Sequence, residues 1–148
     1  MVREHGDGSL EAVRFGVIRT RSGRAMPERL LSIHQELGRL VAELGPDRAG
    51  VEELFFSRNV TTAITVAQAR GVVLLTLQSA GIPVAEYKPN FVKQAVTGYG
   101  GADKAQMQEM VRLLLELEST PKPDDAADAL AVAITDIHSY RLSAVNPG

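Results

Sequence analysis

Leu30, Leu31, Ile33, His34, Leu37, Leu40, Val41 and Leu44 recur at the three- and four-residue spacing of one helix face. Pro27 opens that helix at no hydrogen-bond cost, and Gly45-Pro46 ends it. Residues 48–54 are a short strand candidate ending in acids. Asn59 suits the cap of a second helix running to Ser79 or Ala80, closed by Gly81. Its small residues Ala63, Ala67, Ala69 and Gly71 allow another backbone to approach closely. Residues 82–87 predict a strand, 89–95 a short helix, 97–101 a glycine-rich loop and 103–117 a helix. A proline-rich stretch at 119–123 precedes a last helix from Asp124 to about Tyr140.

The chain opens differently. His5-Gly6-Asp7-Gly8 is a turn signal, followed by an extended stretch over 9–20. The arm before the turn is only residues 1–4, short beside its partner. Strands alternating with helices imply an α/β fold with parallel strands, and the leading hairpin makes the sheet mixed. One domain is expected over residues 1–140, with a loose tail over 141–148.

Length and composition narrow the function. The 148 residues suffice for one domain with its own core, and 45% hydrophobic content excludes a disordered tail. The absence of cysteine excludes disulfides, thiol catalysis and cysteine-ligated metal. No signal sequence is evident at the start, and the longest apolar run, 71–75, is too short to span a bilayer. A cytoplasmic location with no membrane partner is expected. Net charge is -2, yet it is unevenly spread. Residues 12–27 hold four arginines and no acid, 57–112 carry a surplus of +3, and 113–136 a balance of -5. A basic face beside an acidic metal site gives such swings, and so does an ordinary solvated surface.

The sharpest candidate chemistry is Asp125 and Asp128, three apart at a helix start and so on one face. Two such carboxylates suit Mg²⁺ or Mn²⁺, although acids in a first turn also complement the helix dipole. Glu52 closes a strand, where open α/β sheets place their sites; it reads equally as a solvent-facing acid. Phe55, Phe56 and Arg58 could stack on bases and contact phosphate, or the two rings could be core. Lys93 and Lys104 flank the glycine-rich loop and could contact phosphates. His34 reads as a hydrogen-bonded core histidine.

Taken in order, these stretches resemble the RuvC family of Holliday junction resolvases. The resemblance rests on Val51-Glu52-Glu53-Leu54-Phe55-Phe56-Ser57-Arg58-Asn59 and Ala67-Gln68-Ala69-Arg70-Gly71. It continues through Val92-Lys93-Gln94-Ala95-Val96-Thr97-Gly98-Tyr99-Gly100 and Ala102-Asp103-Lys104-Ala105-Gln106. It closes on Asp125-Ala126-Ala127-Asp128-Ala129-Leu130-Ala131. The family is a ribonuclease H-like, metal-dependent homodimer that hydrolyses phosphodiester bonds in four-way junctions during recombination and repair. The resemblance implies Glu52, Asp125 and Asp128 as metal-binding catalytic acids around two Mg²⁺ ions, with Mn²⁺ as a substitute. It implies Lys93 as a further catalytic group, and Phe55, Phe56, Arg58, Arg70, Lys93 and Lys104 as DNA contacts, Phe55 being the base-stacking wedge. The dimer is expected through the helix after Asn59, and proteins of the RuvA and RuvB branch-migration type are candidate partners.

The family's first-strand aspartate, in a G-[IV]-D-P-G sequence, has no match here, and Asp7 sits in a turn. The chain is therefore expected to begin after its first strand and to be unstable and inactive until that strand is restored. The alternative reading is a dimeric module that binds branched DNA without cutting it.

Overall fold

The structure, a computed structural model, describes residues 1–53 and 59–145. Phe55, Phe56 and Arg58 lie outside those residues. The elements are β1 (Val2–Glu4), β2 (Leu10–Ala12), α1 (Met26–Leu44), β3 (Ala49–Glu52), α2 (Val60–Ser79), β4 (Val84–Tyr87), α3 (Pro89–Thr97), α4 (Lys104–Leu114) and α5 (Asp124–Val145). The α/β class is as the sequence predicts. Contacts group into two compact units. One holds 1–17, 50–52 and 85–148; the other holds 18–49 and 53–84.

In the first unit, α5 is the central element. Leu130, Ile134 and Thr135 on α5 and Val111 on α4 are the largest fully buried side chains. The Thr135 hydroxyl donates to the Ala131 carbonyl at 2.8 Å, so its burial leaves no polar atom unpaired. Ala126, Ala127 and Ala131 are also buried, and their small side chains let α3 and α4 pack closely on this helix. The hairpin β1–β2 is antiparallel, with Val2 opposite Ala12 and Glu4 opposite Leu10. It rests on the same core through Val2, Leu10 and Ala12.

Two expectations need correction. The strand predicted over 9–20 is only Leu10–Ala12. Its pairing reaches no further than Met1, whose carbonyl accepts from Val13 at 3.0 Å, and an extended stretch without a ladder partner among the described residues fails to qualify as strand. Helix α5 runs to Val145, beyond Tyr140, because Arg141 anchors it to Glu4 and to the Gly8 carbonyl. The loose tail is thus helical over 141–145.

The strands also form two two-stranded sheets, β1–β2 and β3–β4, where one mixed sheet was expected. No described strand pairs with both. The N–H of Ala49 at the start of β3 donates to Pro83, just before β4, at 2.9 Å, so the two strands start together and run in the same direction.

In the second unit α1 packs on α2. The Asn59 side chain caps α2 by accepting from the Thr62 N–H, as predicted. The Thr76 hydroxyl spends its one proton on the Val72 carbonyl, so the His34 Nδ1 2.8 Å away must donate to it. His34 itself is exposed, so it is a satisfied surface clasp between the helices and not a core residue. Helix α2 is apolar on all sides, with Val60, Ile64, Val66 and Leu75 exposed. Its 20 residues are long and apolar enough to cross a membrane by length and composition. Counting uninterrupted apolar runs did not register this, because Thr, Gln and Arg70 punctuate the helix.

Candidate active site

Glu52 ends β3, and Asp128 lies one turn into α5. What brings them together is a residue with no side chain. A Cβ on Gly50 would stand 3.0 Å from Val132 Cγ1, 3.2 Å from Asp136 Cβ and 3.2 Å from the Val132 carbonyl oxygen. Strand β3 therefore lies directly on α5. Glu52 is two residues beyond Gly50 and faces the same way, about 6.6 Å along the strand. Asp128 is one turn before Val132, about 6 Å along the helix. The two steps match, so the carboxylates are carried to the same place. A buried hydrogen bond reinforces this contact from β4: the Tyr87 hydroxyl donates to Asp136 Oδ1 at 2.7 Å.

The resulting cleft, about 270 Å³, is lined by Glu52, Pro89, Val92, Lys93, Lys104, Met107, Asp128 and Ala131. Two acids and two lysines thus converge over an apolar floor. Burial and the nearby Asp128 charge raise the Glu52 carboxyl above its usual range. Burial likewise raises Asp128; Lys104 pulls it down, and Asp125 and Asp124 push it up. Asp125 is exposed and is not a lining residue, although its charge reaches both Asp128 and Lys104.

Asp124 has a role that helix capping did not suggest. Its Oδ2 meets Lys104 Nζ at 3.1 Å, while Oδ1 accepts from Lys122 at 3.1 Å and Gln108 at 3.0 Å. These donors lower its carboxyl to about 2, with Lys104 the largest cause. The same bond raises the Lys104 ammonium, which therefore stays charged at neutral pH. Since the folded-state value lies below the ordinary aspartate value of 3.8, the stability Asp124 contributes is complete above about pH 4 and lost as pH falls through about 2. Thermal melts between pH 5 and pH 2 should therefore fall less steeply for Asp124→Asn than for the wild type. Parallel curves would show that the contact contributes nothing.

Among the described residues, no three His, Asp or Glu side chains are arranged to hold an ion by themselves. Two neighbouring carboxyls that are both held above their usual values nevertheless make a donor set that a hard cation relieves. Mg²⁺ commonly takes one or two carboxylates and fills its remaining positions with water and substrate phosphate. Glu52 and Asp128 fit that description, with Asp125 beside them.

Of the residues singled out from sequence, Glu52, Asp128, Lys93 and Lys104 meet in this cleft, and Asp125 stands at its rim. Arg70 is half-buried on α2 in the other unit. Gly50 and Met107 escaped notice, and Asp124, which sequence suits to capping the last helix, was not expected to hold Lys104. A glycine inside a predicted strand was the available signal for the first, since it marks close backbone approach.

Known proteins resemble the chain closely. A family model described as "Crossover junction endodeoxyribonuclease RuvC" matches residues 1–136. The protein of that name from Chloroflexus aggregans (strain MD-66 / DSM 9485) is 60% identical over 139 residues, 94% of this chain and 84% of its own. Its namesake from Roseiflexus sp. (strain RS-1) is also 60% identical over 139 residues, 94% of this chain and 82% of its own. Among solved structures, "Thermus thermophilus RuvC structure" matches with a TM-score of 0.86 and 35% identity, over 97% of this chain and 86% of that one. "T. thermophilus RuvC in complex with Holliday junction substrate" matches at 0.86 and 33%, over 95% and 85%. These likenesses bear out the ribonuclease H-like α/β architecture. Relatives that carry an endonuclease's name give no support to the non-cutting alternative.

Proposed function

The chain belongs to the RuvC family of crossover junction endodeoxyribonucleases, and from that premise we propose that its cleft hydrolyses phosphodiester bonds at four-way DNA junctions. The observation that carries the reading is the convergence of Glu52 and Asp128 with Lys93 and Lys104 in one cleft.

Hydrolysis needs a water directed at phosphorus and charge compensation on the attacking and leaving oxygens. Glu52 and Asp128, with Asp125, would hold divalent metal, two Mg²⁺ ions or Mn²⁺ in their place. When bound, such ions act as Lewis acids on the phosphate and ease ionisation of the water. The ammonium of Lys104, held by Asp124, and that of Lys93 face the same space and can bind non-bridging phosphate oxygens. As charge develops there, Lys93 stabilises it. Val92, Met107, Ala131 and Pro89 form an apolar floor that limits water and strengthens these electrostatic contacts. Phe55, Phe56 and Arg58, in the segment that follows Glu52, are assigned to stacking and backbone contact on the DNA, as is Arg70 to its phosphates.

A second copy of the chain covers α2. The exposed Val60, Ile64, Val66 and Leu75 on one helix are a liability in water unless a partner buries them. A two-fold dimer presents two identical clefts, which suits the symmetric cutting of two strands. The enzyme acts on DNA in the cytoplasm.

The direct experiment is Mg²⁺-dependent cleavage of a synthetic four-way junction, compared with linear duplex of the same sequence. Paired nicks in the junction alone are the expected product; equal cleavage of both substrates, or of neither, defeats the proposal. The lysines give a separate prediction. Lys93→Ala or Lys104→Ala should weaken junction binding and reduce the salt slope of log K by roughly one phosphate contact each. An unchanged slope in both variants would remove the lysines from the phosphate path.

A further inference from the structure

The loop between α3 and α4 holds an aromatic ring that neither the core nor the cleft uses. Tyr99 is 65% exposed, although its backbone is firmly fixed. Its N–H donates to the Thr97 hydroxyl at 3.1 Å, and its carbonyl accepts from the Ala102 N–H at 3.2 Å. Ala102 is buried, and the next residue, Asp103, begins α4 with a capping box closed by Gln106. On the other side Gly98, at φ 74°, ends α3 in the left-handed conformation that glycine accepts freely. The loop is thus a rigid bridge between two capped helices.

The ring is supported as well. It lies over Gly101, where a Cβ would stand 2.5 Å from the Tyr99 hydroxyl oxygen and 2.6 Å from Cζ. The bare backbone of Gly101 is the seat of the phenol. Six residues before Tyr99 is Lys93 and five after it is Lys104, both lining the cleft. A DNA strand whose phosphates meet those two ammoniums passes the loop that joins their helices. An exposed aromatic ring on a fixed backbone beside two phosphate-binding lysines is the combination that sequence-tolerant strand recognition uses.

We propose that Tyr99 is a stacking platform for an unpaired nucleobase of the strand held in the cleft, with Gly101 as its seat. The inference rests on the junction-binding reading and deepens it. Stacking needs the ring and not the hydroxyl, and it releases no counterions. Tyr99→Phe should therefore bind junctions as the wild type does. Tyr99→Ala should bind about 5- to 150-fold more weakly, the range for losing one base–aromatic stack, with its salt slope unchanged. Gly101→Ala, which forces the ring off its seat while retaining it, should fall between them.

The test uses the full chain and four-way junctions carrying 2-aminopurine at successive positions around the branch point. Binding by wild type and Tyr99→Phe should quench one position that Tyr99→Ala leaves bright. Equal melting temperatures for the three proteins would place the effect on binding, as expected for an exposed side chain. Three results overturn the proposal: an affinity for Tyr99→Ala within twofold of wild type, a reduced salt slope, or quenching that survives in Tyr99→Ala. If wild type itself fails to bind four-way junctions, the junction-binding reading falls and this inference with it. Wild-type binding without a Tyr99 effect removes the inference alone.

Discussion

Asp128→Asn is expected to end junction cleavage and, in metal-free solution, to make the protein more stable. Asp128 and Glu52 are both raised above their usual values, each by partial desolvation first; the Asp128 charge adds to the rise at Glu52, and Asp125 and Asp124 add to that at Asp128 against the pull of Lys104. A raised acid binds protons more readily in the folded state. Its folding contribution therefore becomes unfavourable as pH rises from the ordinary carboxylate value through the raised one, and the penalty is complete at neutral pH. Asparagine removes the penalty at position 128 and one of the causes at Glu52. The melting temperature at pH 7 should rise, and the difference from wild type should vanish below the carboxylate range. Cleavage should fall at least about 100-fold, the lower bound for losing a group that serves transition-state charge. Junction affinity should hold, because phosphate contacts come from lysines and not from this acid. Cleavage within threefold of wild type would show that Asp128 does not serve the reaction.

Gly50→Ala is expected to damage the site from beneath. The added methyl would meet Val132 Cγ1 at 3.0 Å and the Val132 carbonyl oxygen at 3.2 Å. Strand β3 and α5 must then give by a few tenths of an ångström, and overpacking of this kind costs about 1–3 kcal/mol. Glu52 moves with the strand while Asp128 stays with the helix. A 1 Å misplacement at reacting groups can cost about 100-fold in rate, and a smaller shift correspondingly less. Urea unfolding should report the stability loss, and junction cleavage a fall of up to about 10-fold. Adding Val132→Ala removes the nearest clashing atom and should recover part of both. A Gly50→Ala protein with unaltered cleavage would mean that the close approach does not set the carboxylate spacing.

Where one local rule sufficed, the fold was legible in the sequence. Helix α1 starts at a proline and stops at a glycine whose φ is 56°, and Asn59 caps α2. The acids and lysines of the cleft were legible because their types and order repeat those of a known family. What escaped depends on long-range contact. The end of β2 is decided by how far β1 reaches, and the end of α5 by an arginine that grips a turn more than a hundred residues away. Asp124 looked like a helix cap, and its partnership with Lys104 exists only once α4 packs on α5. Gly50 looked like one more strand residue until the helix beneath it was known.

The placement of α5 also sets the order in which the protein can be made. Val2, Leu10 and Ala12 are made well before Leu130, Ala131, Val132 and Ile134, which are part of the core they rest on. Arg141 reaches back 133 residues to the Gly8 carbonyl. At about 5–20 residues per second, the hairpin waits several seconds for its support. The pair α1–α2 needs no such wait, since its two helices follow one another closely in the chain. Glu52 is likewise translated well before Asp128. An interrupted translation product that stops short of the last helix therefore carries half of the acidic pair and no surface to hold it. Nuclease competence therefore waits until α5 has been made, because only then is the second carboxylate of the pair present and held.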